Sequence, residues 1–276
     1  MSEKNLIIGG ASNLGIRELT PWVCSINEKI HNAHKVLCVG NITQETADWL
    51  TNQGFELIFS FESDPHIHVS RFRWIYNYLK NNYQNYRFVV TTDVRDVYFQ
   101  NDPFEFLYEK LEYSQYKLIA GSESIRYKDE IWGNSNLFHT YGQYIYDDFK
   151  NNEIYNVGTI GGESEYVKDL VFNIFSNATN RPILVCDQAV YNVLLNTQPY
   201  KNITNFLSQK SGWACQAGTT ADPLKIENFR PFLTEKEPFF EEDIIKTCNG
   251  IPFTIVHQYD RVPKWKEFID RKYNII

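Results

Sequence analysis

The chain has 276 residues, 43% of them hydrophobic and 22% charged, with a net charge of −7 and a pI of about 5.4. That is an ordinary globular balance, and its acidity disfavours nucleic acid or an anionic membrane surface as partner. No run approaches the roughly 20 apolar residues of a transmembrane segment.

In chain order, Leu6, Ile7 and Ile8 read as a first strand that runs into glycines. Residues 18–30 read as a helix with Pro21 in its first turn. Residues 36–39 form a second strand, and 43–53 a helix with Thr43 as N-cap. Residues 55–59 give a third strand, 69–82 a helix, 88–92 a fourth strand and 118–120 a fifth. Such alternation predicts parallel pairing with right-handed crossovers, hence an α/β fold with helices on both faces of a mostly parallel sheet. Beyond it, 151–162 reads as loop and strand, 163–176 and 187–195 as helices, 199–239 as loop-rich, and 253–256 as a late strand. The tail around Lys264, Lys266, Arg271 and Lys272 reads as an amphipathic helix, its charge diluted by Glu267 and Asp270. No linker or repeat divides the chain, so 1–276 is expected to be one domain. Its first half, to about 120, would bind nucleotide, and its second half would serve the acceptor.

Five dispersed cysteines (Cys24, Cys38, Cys186, Cys215, Cys248) form no CxxC pair and are odd in number. This argues against a disulfide framework or structural zinc and for a reducing compartment. With no leader-like segment after Met1, the expected location is cytoplasmic. The sequons at Asn41, Asn177 and Asn202 then read as accidents of an Asn-rich chain. Aromatics reach 16%, and tyrosine in particular, with an apolar face and a polar tip, suits sugar or nucleotide clefts.

The apolar run Phe88, Val89, Val90 leads through Thr91 and Thr92 to Asp93, and Asp96 follows three residues later. Ligands bind at the carboxyl ends of strands in α/β sheets, and a pair of carboxylates there suits a hard divalent cation. Alone, the spacing is weak, since Asp96 could equally pair with Arg95 or cap the next segment. Asp187 could be an N-cap, Asn156 a turn residue, and Gly158, Gly161 and Gly162 sources of positive φ. His257 could be a satisfied core histidine. Arg71, ahead of the apolar face of Trp74, Ile75 and Tyr78, could reach a diphosphate through its planar fork or sit on a solvated face.

Taken in order, these segments resemble the GT-A glycosyltransferases, the nucleotide-sugar-dependent class that includes the glycogenin-like enzymes. The run from Thr92 through Asp93 to Asp96 is similar to the family's Asp-x-Asp motif with one extra residue. Asn156-Val157-Gly158 is similar to its Asn-x-Gly loop, Cys186-Asp187-Gln188 to its Asp-Gln helix start, and Ile255-Val256-His257 to its late metal-site strand. Pro263-Lys264-Trp265 is a permuted form of the Lys-Pro-Trp ending. The resemblance runs from about Leu6 to Trp265. It implies a GT-A fold, a nucleoside diphosphate sugar donor (a UDP-sugar first), Mn²⁺ or Mg²⁺, and transfer to a hydroxyl of a glycan. It places Asp96 and His257 at the metal, Asp93 at metal or ribose, and Asn156, Gly158 and Gln188 beside the donor. Asp187 would meet donor or acceptor hydroxyls and is the candidate base if the reaction inverts. The glycogenin-like likeness leans towards retention.

Two rivals remain. Gly9, Gly10 and Gly15 resemble the cofactor loop of short-chain dehydrogenases, and Tyr146 and Lys150 with Ser135 would serve such an NAD(P)-dependent oxidoreductase. However, the glycine spacing departs from that pattern, and Tyr113/Lys117 and Tyr76/Lys80 repeat the Tyr-x-x-x-Lys spacing. The other rival is a carbohydrate-binding protein without catalysis, which would leave the acidic and histidine motifs idle.

Overall fold

Strand β1 (Lys4–Ala11) buries every residue after its first, and its side chains divide between two cores. Leu6 and Ile8 join one hydrophobic cluster and Ile7 the other, as period-2 alternation requires of a strand covered on both faces. The computed structural model describes residues 4–60 and 67–275. The chain continues through α1 (Ile16–Lys29), β2 (Ala33–Val39), α2 (Gln44–Asn52), β3 (Glu56–Phe59), α3 (Ile67–Asn82), β4 (Tyr86–Thr92), β5 (Val97–Phe99) and α4 (Pro103–Leu111). Then come β6 (Leu118–Arg126), α5 (Ile131–Phe149), β7 (Glu153–Tyr155), β8 (Thr159–Glu163), α6 (Ser164–Ala178), α7 (Asp187–Leu195), α8 (Tyr200–Ile203) and β9 (Thr204–Leu207). The last elements are β10 (Ala214–Gln216), α9 (Ala217–Thr220), α10 (Ile226–Phe229), β11 (Phe239–Glu241), β12 (Ile244–Lys246), β13 (Ile255–His257) and α11 (Pro263–Lys272).

The main sheet has the order β3-β2-β1-β4-β8-β6-β7, with β9 also paired to β6. Strands β3, β2, β1 and β4 are mutually parallel, whereas β8 runs antiparallel to both β4 and β6. Strand β6 therefore points the same way as β4, and their carboxyl ends share one edge. The expected α/β sheet with helices on both faces is present. Helices α3, α6 and α7 pack on one face, and α1 and α4 on the other. Antiparallel β8 and β7 were not foreseen.

Helix starts follow their caps. Thr43 accepts from Thr46 N at the head of α2, and Asp102 from Phe104 N at α4, each satisfying a backbone donor that the helix leaves open. The tail forms the expected amphipathic helix, α11, and buries Trp265 and Ile269. Helix α5, absent from the sequence reading, is broken at Gly142 (φ 77°). A second sheet, β10-β13-β5, lies apart from the first. It pairs residues just after Asp96 with the strand that ends at His257, in the register His257↔Val97. Among the described residues no helix is long and apolar enough to cross a membrane.

Candidate active site

A cleft of about 550 Å³ opens at the carboxyl edge of β1, β4 and β6. Strand β4 delivers Asp93 directly after its last residue, and Asp93 N donates to Gly158 O at 3.0 Å. Asp96 is fixed by its own carbonyl, which accepts from Gln258 N at 2.7 Å. His257 arrives from the second sheet. One oxygen of each carboxylate and a ring nitrogen of His257 lie within 4.8 Å of one another. His257 Nε2 is 3.3 Å from Asp93 Oδ2 and 3.7 Å from Asp96 Oδ1.

The tautomer of His257 follows from its other nitrogen. Gln216 Nε2 donates to Thr159 Oγ1 at 3.0 Å, so Gln216 Oε1 faces the ring and accepts from Nδ1–H at 2.8 Å. That leaves Nε2 as a bare lone pair, buried and without a hydrogen-bond partner, aimed at the two carboxylates. Burial lowers the His257 pKa, against the pull of Asp96 and Glu123, so the ring is neutral at pH 7. Two carboxylates and a neutral imidazole oriented from behind make a donor set that fits a divalent cation such as Mn²⁺. The core-histidine alternative would leave Nε2 buried without a hydrogen-bond partner, at the cost of its desolvation. Arg95 does lie 3.6 Å from Asp96 Oδ2, but it is half exposed and also approaches Asp260 at 3.7 Å.

Arg71 is buried rather than solvated. Its guanidinium pairs with Asp93 Oδ1 and, at 3.2 Å, with Asp187 Oδ2. The positive charge thus stands between two carboxylates while it lines the cleft. Asp187 is the first residue of α7, and the N-cap is Cys186. The capping role is therefore not the one Asp187 plays.

A buried residue that the sequence did not flag organises the rest. Glu123 on β6 accepts from Asn156 Nδ2 (2.7 Å) and Gln188 Nε2 (2.9 Å) on Oε1, and from Thr219 Oγ1 (2.7 Å) on Oε2. Burial raises its pKa, and the hydrogen bonds from Thr219 and Asn156 oppose that shift only in part. Asn156 does serve as a turn residue, since its Oδ1 accepts from Gly158 N at 2.7 Å. Gly158, Gly161 and Gly162 do not have positive φ. Their role is room, because a Cβ on Gly158 would lie 2.8 Å from His257 Cε1 and one on Gly161 2.9 Å from the Trp213 ring.

Lys264 Nζ lies 5.4 Å from the Phe240 ring centroid and does not line the cleft, whereas Arg261 does. Gly9 and Gly10 belong to β1 itself, where a Cβ on Gly10 would meet Arg71 Cβ at 2.6 Å. Gly10 makes room for helix α3 and Gly9 for Val94 and Trp22, and neither forms a loop. Ser135, Tyr146 and Lys150 do not line the cleft, and Lys150 pairs with Asp147 at 2.6 Å. A scan against protein-family models and a search among curated proteins each found no match.

Proposed function

We propose that the protein is a metal-dependent glycosyltransferase of the GT-A type, which moves a sugar from a nucleoside diphosphate sugar, a UDP-sugar first, to a glycan hydroxyl. The observation that carries this reading is the convergence of Asp93, Asp96 and the bare Nε2 of His257 in one cleft at the carboxyl edge of the sheet. The sheet order supports it, with four parallel strands followed by antiparallel β8 and a small second sheet that brings in His257.

Asp93, Asp96 and His257 would hold the cation, which supplies Lewis-acid neutralisation of the leaving diphosphate. The β1 end, with Gly10, Ala11 and Ser12, forms the nucleotide wall. Gln188 and Asn156, held by Glu123, present the sugar side. Arg71 keeps the Asp93 and Asp187 carboxylates at fixed separation and offsets their charge. Each of the cleft's other carboxylates has a partner. Glu123 carries three donors, Glu130 caps α5, and Asp187 faces Arg71. That distribution favours a retaining outcome, which needs no carboxylate base at the acceptor oxygen, and gives Asp187 a sugar-orienting role.

Calorimetry of UDP binding with Mn²⁺ and with EDTA tests the proposal. UDP affinity should collapse in chelator, because Asp93 and Asp96 then repel the diphosphate. Equal affinity in EDTA overturns the metal-site reading, and saturable NADPH binding would favour the dehydrogenase instead.

A further inference from the structure

The cleft is long enough for two ligands. One end is lined by Gly10, Ala11 and Ser12 at the close of β1, and the other by Glu130 and Trp132 at the start of α5, which follows β6. Strands β4 and β8 separate β1 from β6. At ~4.8 Å per strand β1 and β6 are ~14 Å apart, and β4, which delivers the acidic pair, lies between them.

The far end changes character. Trp132 is 47% exposed and lines the cleft beside Val185. Ile131 and Leu184, next to them in the chain, are 77% and 60% exposed. Trp132 and Val185 thus put an apolar wall on a polar cleft, with exposed Ile131 and Leu184 adjoining them in sequence, and such exposed apolar surface marks a binding site. The backbone beneath Trp132 is fixed in advance. Glu130 accepts from Trp132 N and Gly133 N as the cap of α5, and Asn136 Nδ2 donates to the Val185 carbonyl, which ties the loop to the helix. Gly133 leaves the room this cap needs, since a Cβ there would stand 2.9 Å from both Glu130 Oε2 and Ile154 Cδ1.

Polar groups complete the wall, with Asp187 and Gln188 of α7 lining the same cleft. A flat aromatic face beside a carboxylate and an amide suits a pyranose, whose C–H face lies on an indole while its hydroxyl rim hydrogen-bonds sideways.

We propose that Trp132 is the stacking platform of an acceptor-saccharide subsite, with Ile131 and Leu184 extending it outward. The subsite rests on the transferase reading only in naming its occupant the acceptor.

The test uses the full chain saturated with Mn²⁺–UDP and a set of methyl pyranosides with lactose and maltose, observed by saturation-transfer NMR. At least one saccharide should bind, with affinity on the order of millimolar and with transfer strongest to the C–H protons of one ring face. Trp132→Ala should weaken that binding roughly tenfold and Trp132→Phe by no more than about threefold, since stacking survives in the second. Melting curves establish that both variants fold. No binding by any member of the set overturns the subsite, as does binding indifferent to Trp132→Ala. Loss of UDP affinity in Trp132→Ala overturns it too, because the ring would then be a nucleobase platform. Trp132-dependent saccharide binding without any Mn²⁺–UDP binding would uphold the subsite and sink the transferase reading.

Discussion

Replacing Gly158 by alanine probes the site at its narrowest point. The backbone there is not in the left-handed region, so only space opposes a methyl group. A Cβ would lie 2.8 Å from His257 Cε1, 2.9 Å from Asn156 Oδ1 and 3.0 Å from Asp93 Cγ, against an ordinary contact of 3.4–4 Å. The groups must retreat by roughly 0.5 Å, and overpacking of this kind costs about 1–3 kcal/mol. At ~2–4 °C per kcal/mol the melting temperature should fall by roughly 5 °C. Two of the displaced groups are in the Asp93, Asp96, His257 trio, and such constellations tolerate only ~0.5 Å of error. Affinity for Mn²⁺–UDP should therefore drop at least about tenfold, or ~1.4 kcal/mol. Gly161→Ala is the control. Its methyl would meet Trp213 Cη2 and Cζ2 at 2.9 Å and Leu107 Cδ2 at 3.2 Å, a similar crowding in β8 but away from the cleft. Calorimetric Mn²⁺–UDP titrations beside melting curves separate the two. A folded Gly158→Ala that binds as the wild type does, or a Gly161→Ala that loses as much affinity, would refute the reasoning.

His257→Ala and Asp96→Ala should each cost most Mn²⁺-dependent turnover, and their losses should not add in the double variant, because one site is broken either way; excess Mn²⁺ should rescue His257→Ala better than Asp96→Ala, and additive losses would contradict a shared ion. Protons compete with a cation for His257 Nε2, and burial sets its pKa below the ordinary 6.5, so Mn²⁺ affinity should hold as pH falls to 6.5 and decline only below it; a midpoint above 6.5 would count against the buried, neutral ring. The sign for folding is the same: the unfolded chain takes up this proton first, so stability is complete above the unfolded value and is lost as pH falls towards the folded one. Cys38, Cys186 and Cys215 are buried, with burial pushing the Cys38 thiol up to about 12 and Cys186 to about 11. An aromatic disulfide reagent should thus label only Cys24 and Cys248 in the native protein and all five cysteines in denaturant; fast labelling of a third would be inconsistent with this packing.

The parallel half of the sheet was legible because β1, β2 and β4 are continuous apolar runs bounded by turns and helix caps, and Thr43 marks the start of α2 as expected. Asp93, Asp96, Asn156, Gly158, Asp187, Gln188 and His257 were legible only as an ordered set; the structure brings all but Gly158 to the lining of one cleft, with Gly158 packed against His257 and Asp93. Glu123 was hidden since it sits mid-strand among small residues, where a carboxylate reads as an interruption and its three donors come from remote segments. Gln216 lies in a strand of three residues, too short for periodicity to register, and β5 was missed for the same reason. Helix α5 was lost to its composition, rich in aromatic residues, Asn and Gly, with a break at Gly142. The antiparallel direction of β8 depends on which partner it meets, and that is a long-range property.

The pairing of β5 with β13 has a consequence for the order of assembly. Asp96 and His257 are about 160 positions apart in the chain, yet the His257↔Val97 register brings the end of one strand beside the start of the other. A loop of that span closes slowly, and the entropy of closing it is lost before any contact repays it. A growing chain that has reached only α7 holds both aspartates and Arg71 but neither Gln216 nor His257. On the proposed function, residues 1–120 would therefore not form a separable cation-binding module, and the trio would be complete only in one late step, when the last strand docks. A slip of one residue in that docking would turn His257 to the opposite face of the small sheet, which makes the trio a direct reporter of correct strand register.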